Sequence, residues 1–149
     1  MGESSAMRYY ESSVLIDATP EAVWAVLADV SRYPAWDSGV TRVDGDIVDG
    51  GRITVHTDLR PGRAFPLRVA LDPPRLMVWT GGLPLGLFRG VRTFSLDDAP
   101  GGGTHFTLRE EFSGLLLGPI WRTMPDLGPS FERFTNGLKA AVEGRPPAP

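Results

Sequence analysis

Two charged residues, Arg92 and Glu110, fall among apolar residues in two stretches whose alternation is typical of β-strands. Side chains two residues apart in a strand point to the same face. The apolar residues that share the parity of the two charges are Phe94 and Leu96 in the first stretch, and Phe106, Leu108 and Phe112 in the second. Three interpretations fit this pattern: a strand end or bulge that turns one charge outward, a buried structural ion pair, or a polar pair that faces a ligand.

The spacing of these residues predicts that the two charges touch. In a hairpin that pairs Phe94 with Leu108, Arg92 lies directly opposite Glu110. Directly opposed residues share a face and lie close enough for contact. Opposite charges in apolar surroundings can be held together by charge-assisted hydrogen bonds. The hypothesis is that this pair anchors a ligand, with Arg92 as donor and Glu110 as acceptor, and the same two residues are the candidates for catalysis.

Other kinds of catalytic or metal site find little support in the residues. The chain has no cysteine, which excludes disulfides, thiolate metal sites and cysteine nucleophiles. His56 and His105 fall on the outer face of their strands, without further ligands at metal-binding spacing, so no metal site is predicted. The sequence also lacks the Gly-x-Ser-x-Gly, Gly-x-Gly-x-x-Gly and Walker motifs, so no cofactor is expected.

The composition is that of one globular domain. The 149 residues carry a net charge of −3, with 42% hydrophobic and 22% charged residues. The interpretation is a single domain over 1–149 with its core at about 8–143 and loose ends at 1–6 and 144–149. The mild acidity argues against nucleic acid as a partner. The start resembles no signal peptide and no run of about 18 apolar residues could cross a membrane, so a cytoplasmic location is expected. The oligomeric state is left open.

Changes in the spacing of apolar residues along the chain predict the strands and helices that would position the charged pair. Residues 9–17 alternate as a strand, and Thr19-Pro20-Glu21 is a helix start with a capping side chain. A second short helix is expected near residues 30–33, and turn motifs then divide residues 34–113 into strands. Arg60-Pro61-Gly62-Arg63 suits a type II turn. A C-terminal helix is predicted from the helical spacing of Phe131, Phe134, Leu138, Ala141 and Val142, although Pro125 and Pro129 leave its start open. The fold class is α+β.

Several strings resemble one known family in the same order. They are VLIDATPEAVW at 14–24, YPAW at 33–36, DPPRLMVW at 72–79, Gly103-Thr104 leading to EFSG at 111–114, and FTNGLK at 134–139. Together they resemble the START-like (SRPBCC) superfamily, in its polyketide cyclase/dehydrase and lipid-transport branch. The resemblance implies a helix-grip fold. In that fold a curved antiparallel sheet of about six or seven strands wraps a long C-terminal helix, two short helices follow the first strand, and an apolar cavity lies between sheet and helix.

Ligand-binding residues are predicted on the inner faces of these elements. They comprise the charged pair, the apolar residues Val55, Val69, Phe94, Leu108, Phe112 and Phe134, and the loop residues Leu85 and Leu116. Trp79 is ambiguous, because the turn at residues 72–75 favours Leu76, Val78 and Thr80 as the inward set of that strand.

The loops at 60–63, 81–86 and 114–119 should lie at the same end of the sheet, because alternate loops of an antiparallel meander share an end. Two of them are unusually apolar, which predicts a cavity mouth with a lid of Leu83, Leu85, Leu116 and Leu117. The alternative is that these leucines pack under the closing helix.

Three functions are compatible with the sequence. The favoured one is binding or transport of a hydrophobic small molecule such as a polyketide, lipid or quinone-like compound. An enzyme of the polyketide cyclase, aromatase or dehydratase kind is the alternative, and a protein- or membrane-interaction module that uses the leucine-rich mouth is the third.

Overall fold

A computed structural model describes residues 7–144 as a curved antiparallel sheet that wraps a helix. The seven strands lie in the order β1-β7-β6-β5-β4-β3-β2. The elements along the chain are β1 (Arg8–Ile16), α1 (Pro20–Leu27), a 3₁₀ helix (Val30–Ala35), β2 (Val40–Asp44), β3 (Arg52–Thr57), β4 (Phe65–Asp72), β5 (Leu76–Leu83), β6 (Phe88–Asp98), a 3₁₀ turn (Pro100–Gly102), β7 (Thr104–Ser113), α2 (Leu117–Thr123) and α3 (Gly128–Glu143).

This arrangement confirms the predicted α+β class and the helix-grip fold. The predicted loose ends at 1–6 and 145–149 lie outside the described residues, and Gly144 ends α3 in the left-handed conformation. No helix within residues 7–144 is long and apolar enough to cross a membrane.

Helix α3 lies against the concave face of the sheet. Its buried residues are Phe131, Phe134, Thr135, Gly137 and Leu138. Near the middle of the helix, the hydroxyl groups of Ser12 and Thr135 form a 2.9 Å hydrogen bond. Lys139 Nζ donates to the carbonyl oxygen of Leu15 at 2.8 Å. These polar contacts fix both the position of α3 along β1 and the face that it turns to the sheet.

The segment between α1 and β2 is held by its own polar groups. Thr19 Oγ1 accepts a hydrogen bond from the backbone N–H of Ala22 at 3.2 Å, which confirms the predicted cap of α1. Tyr33 is fully buried and its hydroxyl donates to the carbonyl oxygen of Leu27. Burial raises the pKa of Tyr33 well above its usual range, so the hydroxyl stays protonated and remains a donor. Ser38 Oγ donates to the Tyr33 carbonyl oxygen at 2.8 Å and accepts from the Val40 N–H at 3.0 Å.

The connections between strands agree with those predicted from the sequence, with two differences. The predicted type II turn is confirmed, because the Arg63 N–H donates to the Arg60 carbonyl oxygen at 3.1 Å and Gly62 has φ +81°. Strand β2 had no separate prediction. It is a short edge strand of five residues whose pairing with β3 is irregular between Val40 and Arg42.

The second difference is that residues 114–119 are not entirely a loop. Helix α2 begins at Leu117, and Pro119 lies in its first turn, where the missing N–H has no helical partner to lose. Helix α3 begins at Gly128 with Pro129 also in its first turn, and Pro125 lies in the connector between the two helices. The start that the sequence left open is therefore residue 128.

The close approach of α3 to the backbone of Asp37, which follows the 3₁₀ helix, yields a first prediction. A Cβ at Gly137 would lie 2.3 Å from the carbonyl oxygen of Asp37 and 2.9 Å from its carbonyl carbon. We expect Gly137→Ala to lower the free energy of unfolding by about 1–3 kcal/mol, as overpacking does. Urea denaturation measures this effect.

The matched control is Gly118→Ala in α2, where a Cβ would have no atom within 4 Å. This change should leave stability unchanged or raise it by up to about 1 kcal/mol. Equal effects of the two substitutions would show that α3 does not press on the Asp37 backbone.

Candidate functional site

Arg92 and Glu110 meet on the concave face of the sheet. They are directly opposed in the β6–β7 ladder, where Phe94 also pairs with Leu108 and Leu96 with Phe106. Arg92 Nε donates to Glu110 Oε1 at 2.8 Å, and 25% of the Arg92 side chain and 17% of the Glu110 side chain are exposed. The predicted contact is confirmed. Because both side chains share the inner face with buried Phe94 and Leu108 yet remain partly exposed, solvent reaches this level of the concave face.

The charged pair belongs to a row that crosses four strands. Tyr10 of β1 is paired with Glu110, and Trp79 of β5 is paired with Arg92. Trp79 is only 2% exposed and Met77 is fully buried, so the inward set predicted for β5, with Leu76, Val78 and Thr80, is wrong. The opposite face of β5 is also apolar, which is why the sequence left the orientation of Trp79 ambiguous. Counting residue pairs outward from the turn between β5 and β6 would have placed Trp79 opposite Arg92.

Hydrogen-bond donors along this row are left unused. The guanidinium of Arg92 uses Nε for Glu110 and lies 4.9 Å from the centroid of the Phe131 ring. Its terminal nitrogens donate to no other group within residues 7–144. Trp79 Nε1 is buried and also has no partner in the same part of the chain. Buried donors are normally satisfied, so the row offers its N–H groups to an acceptor that the chain itself does not supply.

Two glycines leave room for neighbouring side chains beside the row. Gly81 and Gly90 are directly opposed in the β5–β6 ladder, two residues beyond Trp79 and Arg92. A Cβ at Gly90 would lie 2.9 Å from Glu110 Oε2 and 3.5 Å from the Phe112 ring. The missing side chain at Gly90 is therefore what allows the Glu110 carboxylate to lie where it does.

Aromatic side chains face the row from the helices. Tyr10 stacks on Trp121 of α2 at 5.4 Å between ring centroids and lies 5.7 Å from Phe131 of α3. Neither Tyr10 nor Trp121 was predicted as a site residue. Tyr10 shares the parity of Val14 and Ile16 in β1, which was a usable signal, whereas Trp121 had none because α2 was not predicted.

The other predicted ligand-binding residues separate into two groups. Those in the interior are Val69, Phe94 and Leu108, each 0% exposed, with Phe134 at 2%, Phe112 at 4% and Val55 at 5%. All of them except Phe112 belong to one packed core, in which the Phe94 ring lies 4.7 Å from Trp79 and 5.8 Å from Phe134. Leu85 and Leu116 lie outside this core and are exposed. A role for either group toward a ligand stays a prediction.

The leucine-rich loops lie side by side at one end of the sheet. The Leu115 N–H donates to the Gly86 carbonyl oxygen at 3.1 Å, and the Leu116 N–H donates to the Leu87 carbonyl oxygen at 2.8 Å. The predicted common end is thus confirmed for these two loops. Leu117 is buried as the first residue of α2, so it does not belong to an exposed lid as was expected.

The outer face of the sheet and the back of α3 carry different features. His56 Nε2 lies 3.3 Å from Asp44 Oδ2, and the Arg42 guanidinium beside Asp44 holds the pKa of that carboxyl below its usual value. No group of three or more His, Asp or Glu side chains in residues 7–144 is arranged to hold a metal ion. An open groove of about 920 Å³ lies behind α3, against α1 and the 3₁₀ helix, and is lined by Arg32, Trp36 and Arg133 among others.

Comparison with known proteins places the chain among relatives of the same architecture. The sequence profile of the family described as polyketide cyclase/dehydrase and lipid transport matches residues 7–143. No curated protein sequence is significantly similar to the chain.

Three solved structures illustrate the likeness of fold. The Zhui aromatase/cyclase from Streptomyces sp. R1128 is 20% identical over 93% of this chain and 94% of that one, with a TM-score of 0.70. Norcoclaurine synthase from Thalictrum flavum, in complex with dopamine and hydroxybenzaldehyde, is 14% identical over 96% and 90%, with a TM-score of 0.70. The hypothetical protein jhp0584 from Helicobacter pylori is 13% identical over 91% and 88%, with a TM-score of 0.72.

The inner-face ion pair yields a second prediction. Arg92→Ala should lower the free energy of unfolding by about 1–3 kcal/mol, because it leaves the Glu110 carboxylate largely desolvated and without its partner. Replacing both residues by apolar ones of similar size, as in Arg92→Met with Glu110→Leu, should recover most of that loss. Urea denaturation of the single and double variants measures both.

Arg75→Ala provides the control for an exposed pair. Arg75 Nη1 lies 2.9 Å from Asp98 Oδ1, with 45% and 75% of the two side chains exposed, so its loss should leave the free energy of unfolding nearly unchanged. An Arg92→Ala cost no larger than that of Arg75→Ala would contradict the desolvated character of the inner pair.

Proposed function

The chain belongs to the polyketide cyclase/dehydrase and lipid-transport family, and from this premise we propose that it binds an apolar, oxygen-bearing small molecule between the concave face of the sheet and α3. Polyketides, lipids and quinone-like compounds share this chemistry. The ligand would lie along the row of Tyr10, Glu110, Arg92 and Trp79.

The observation that carries the proposal is the ion pair on the inner face. Arg92 and Glu110 are held together at 2.8 Å and are reached by solvent, while the remaining donors of Arg92 and Trp79 Nε1 are not used by the described chain. Binding sites for small molecules combine mostly apolar walls with a few placed polar groups. An acceptor oxygen of the ligand would satisfy these donors.

The surrounding rings would supply most of the binding free energy. Tyr10, Phe112 and Phe131 border the charged pair and contact one another or Trp121 through their faces and edges. Removing apolar surface from water is worth about 25 cal/mol for each Å². The polar pair would then set the orientation of the ligand.

An enzymatic role is supported by one further detail of the pair. Glu110 binds Arg92 through Oε1, and its Oε2 lies beside Gly90 with no hydrogen bond from the described residues. A carboxylate placed in this way could accept a proton from a carbon next to a ligand carbonyl, while Arg92 stabilises the enolate oxygen that forms. This is the step that a cyclase or dehydratase needs.

A third prediction tests the polar anchor with two probes of similar size. The protein should bind 1,4-naphthoquinone, which has acceptor oxygens, more tightly than naphthalene, which has none. Arg92→Gln should weaken naphthoquinone binding about tenfold, because a hydrogen bond from a charged group contributes roughly 1.5 kcal/mol. Naphthalene binding should be unchanged, and quenching of tryptophan fluorescence reports both.

Arg109→Gln is the control, because Arg109 lies in the same hairpin but pairs with Glu11 and Glu111. If Arg92→Gln changes neither affinity, or if Arg109→Gln has the same effect as Arg92→Gln, the inner pair is structural and the proposed anchor is wrong.

A fourth prediction separates a carrier from an enzyme. For a carrier, native mass spectrometry of the purified protein should show a bound apolar compound, and a poly-β-ketone mimic should be recovered unchanged. For an enzyme, the mimic should be converted, and Glu110→Gln should abolish conversion while the naphthoquinone affinity stays within about twofold. Conversion that survives Glu110→Gln would remove this carboxylate from the chemistry.

A further inference from the structure

Exposed apolar side chains are concentrated at one end of the sheet. Nine large hydrophobic residues are exposed within residues 7–144, and six of them lie at the end where β1 begins and where β3, β5 and β7 end. We call these six residues the leucine edge: Met7, Leu59, Leu83, Leu85, Leu115 and Leu116. Leu85 is 90% exposed and Leu115 is 81% exposed, so their side chains project from the turns into solvent.

The leucine edge is a built surface with defined backbone contacts. The turn that holds Leu85 and the segment that holds Leu115 are joined by the hydrogen bonds from Leu115 to Gly86 and from Leu116 to Leu87. Leu85 also has φ +63°, a conformation that L-residues other than Asn and Asp rarely adopt. A large apolar side chain is therefore held at the tip of the turn where a small or polar residue would fit the backbone better.

Arginines without ion pairs surround the same edge. Arg8 precedes the body of β1, Arg60 and Arg63 lie in the β3–β4 turn, Arg89 is at the start of β6, and Arg122 is on α2. None of these five guanidinium groups forms a salt bridge within residues 7–144. The acids nearby are Asp37 and Asp58, which both pair with Arg133, Asp126, which accepts from the Gly128 N–H, and Glu132.

The opposite end of the sheet has the opposite charge. Acidic residues end or follow β1, β2, β4 and β6 there, and they are Asp17, Asp46, Asp49, Asp72, Asp97 and Asp98. They outnumber the basic residues at the same end, Arg52 and Arg75, of which Arg75 pairs with Asp98. Although the whole chain has a net charge of −3, its charge is thus distributed so that the apolar end is also the basic end. Such a distribution orients a protein with that end toward a negative surface.

We propose that the leucine edge docks on an anionic lipid surface. Leucines at the tips of turns would enter the acyl region, and the surrounding arginines would lie at the level of the headgroups and phosphates. A peptide or helix partner is recognised by an apolar groove, whereas Leu85 and Leu115, at 90% and 81% exposed, project from turns into solvent. A bilayer accepts projecting side chains in any arrangement, so it suits this surface better.

Vesicle sedimentation tests the proposal. We expect the protein to bind phosphatidylcholine vesicles that contain a third of phosphatidylglycerol, to bind pure phosphatidylcholine much less, and to lose anionic binding at high salt. Leu85→Asn combined with Leu115→Ser should weaken binding about tenfold, and Arg63→Ser combined with Arg89→Ser should weaken it similarly. Asn suits the backbone of residue 85, and unchanged melting temperatures would show that both variants fold.

Matched controls come from the rest of the surface. Leu15 and Val48 are 61% and 55% exposed but lie outside the leucine edge, and Arg52 and Arg68 are exposed without ion pairs. Leu15→Ser with Val48→Ser, and Arg52→Ser with Arg68→Ser, should leave vesicle binding unchanged.

Three results would overturn the proposal. The first is no binding to anionic vesicles, and the second is equal loss in the control variants. The third is a different occupant of the same surface. A concentration-dependent dimer that Leu85→Asn abolishes, without vesicle binding, would assign the surface to a second copy of the chain. Tighter binding to polyglutamate than to vesicles would assign it to an acidic protein.

Discussion

Two opposite charges share the concave face of the sheet, and each is stabilised there by the other. The register of β6 against β7 places Arg92 and Glu110 in direct opposition, and the 2.8 Å hydrogen bond between them offsets much of the desolvation that either would suffer alone. A slip of one residue in either strand would turn the charge of that strand to the outer face and leave the other charge on the inner face without its partner. The apolar order of the hairpin and the polar character of the site therefore depend on one register.

The position of α3 determines what the charged pair faces. Phe131 lies over the Arg92 guanidinium, and the helix that carries it is fixed by the Ser12–Thr135 hydrogen bond and by the contact of Gly137 with the Asp37 backbone. The connection between α1 and β2, which contains Asp37, is itself held by the Tyr33 and Ser38 hydroxyl groups. Residues far from the site in sequence thus determine how much room a ligand has beside Arg92.

The parts of the structure that the sequence predicted are those with unambiguous local patterns. The β6–β7 pairing followed from parity and spacing, because polar and apolar residues alternate clearly in both strands. The orientation of Trp79 was left open, since both faces of β5 carry apolar residues and parity alone could not choose between them. Helix α2 was missed because Gly118 and Pro119 are typical of a loop, and Pro is tolerated only when it falls in a first helical turn. The unused Trp79 donor became visible only in three dimensions.

The pairing of β1 with β7 has a consequence for the order in which the protein folds. Arg8 pairs with Phe112, and Ile16 pairs with Thr104, so the first strand has its sheet neighbour in the last one. Strands β2 to β7 pair with their neighbours in sequence and can form from successive hairpins during synthesis, but β1 waits until β7 exists. Helix α3, which follows β7, then covers the concave face. The apolar interior is therefore the last surface of the protein to close, and it stays open to other chains until residue 143 has been made.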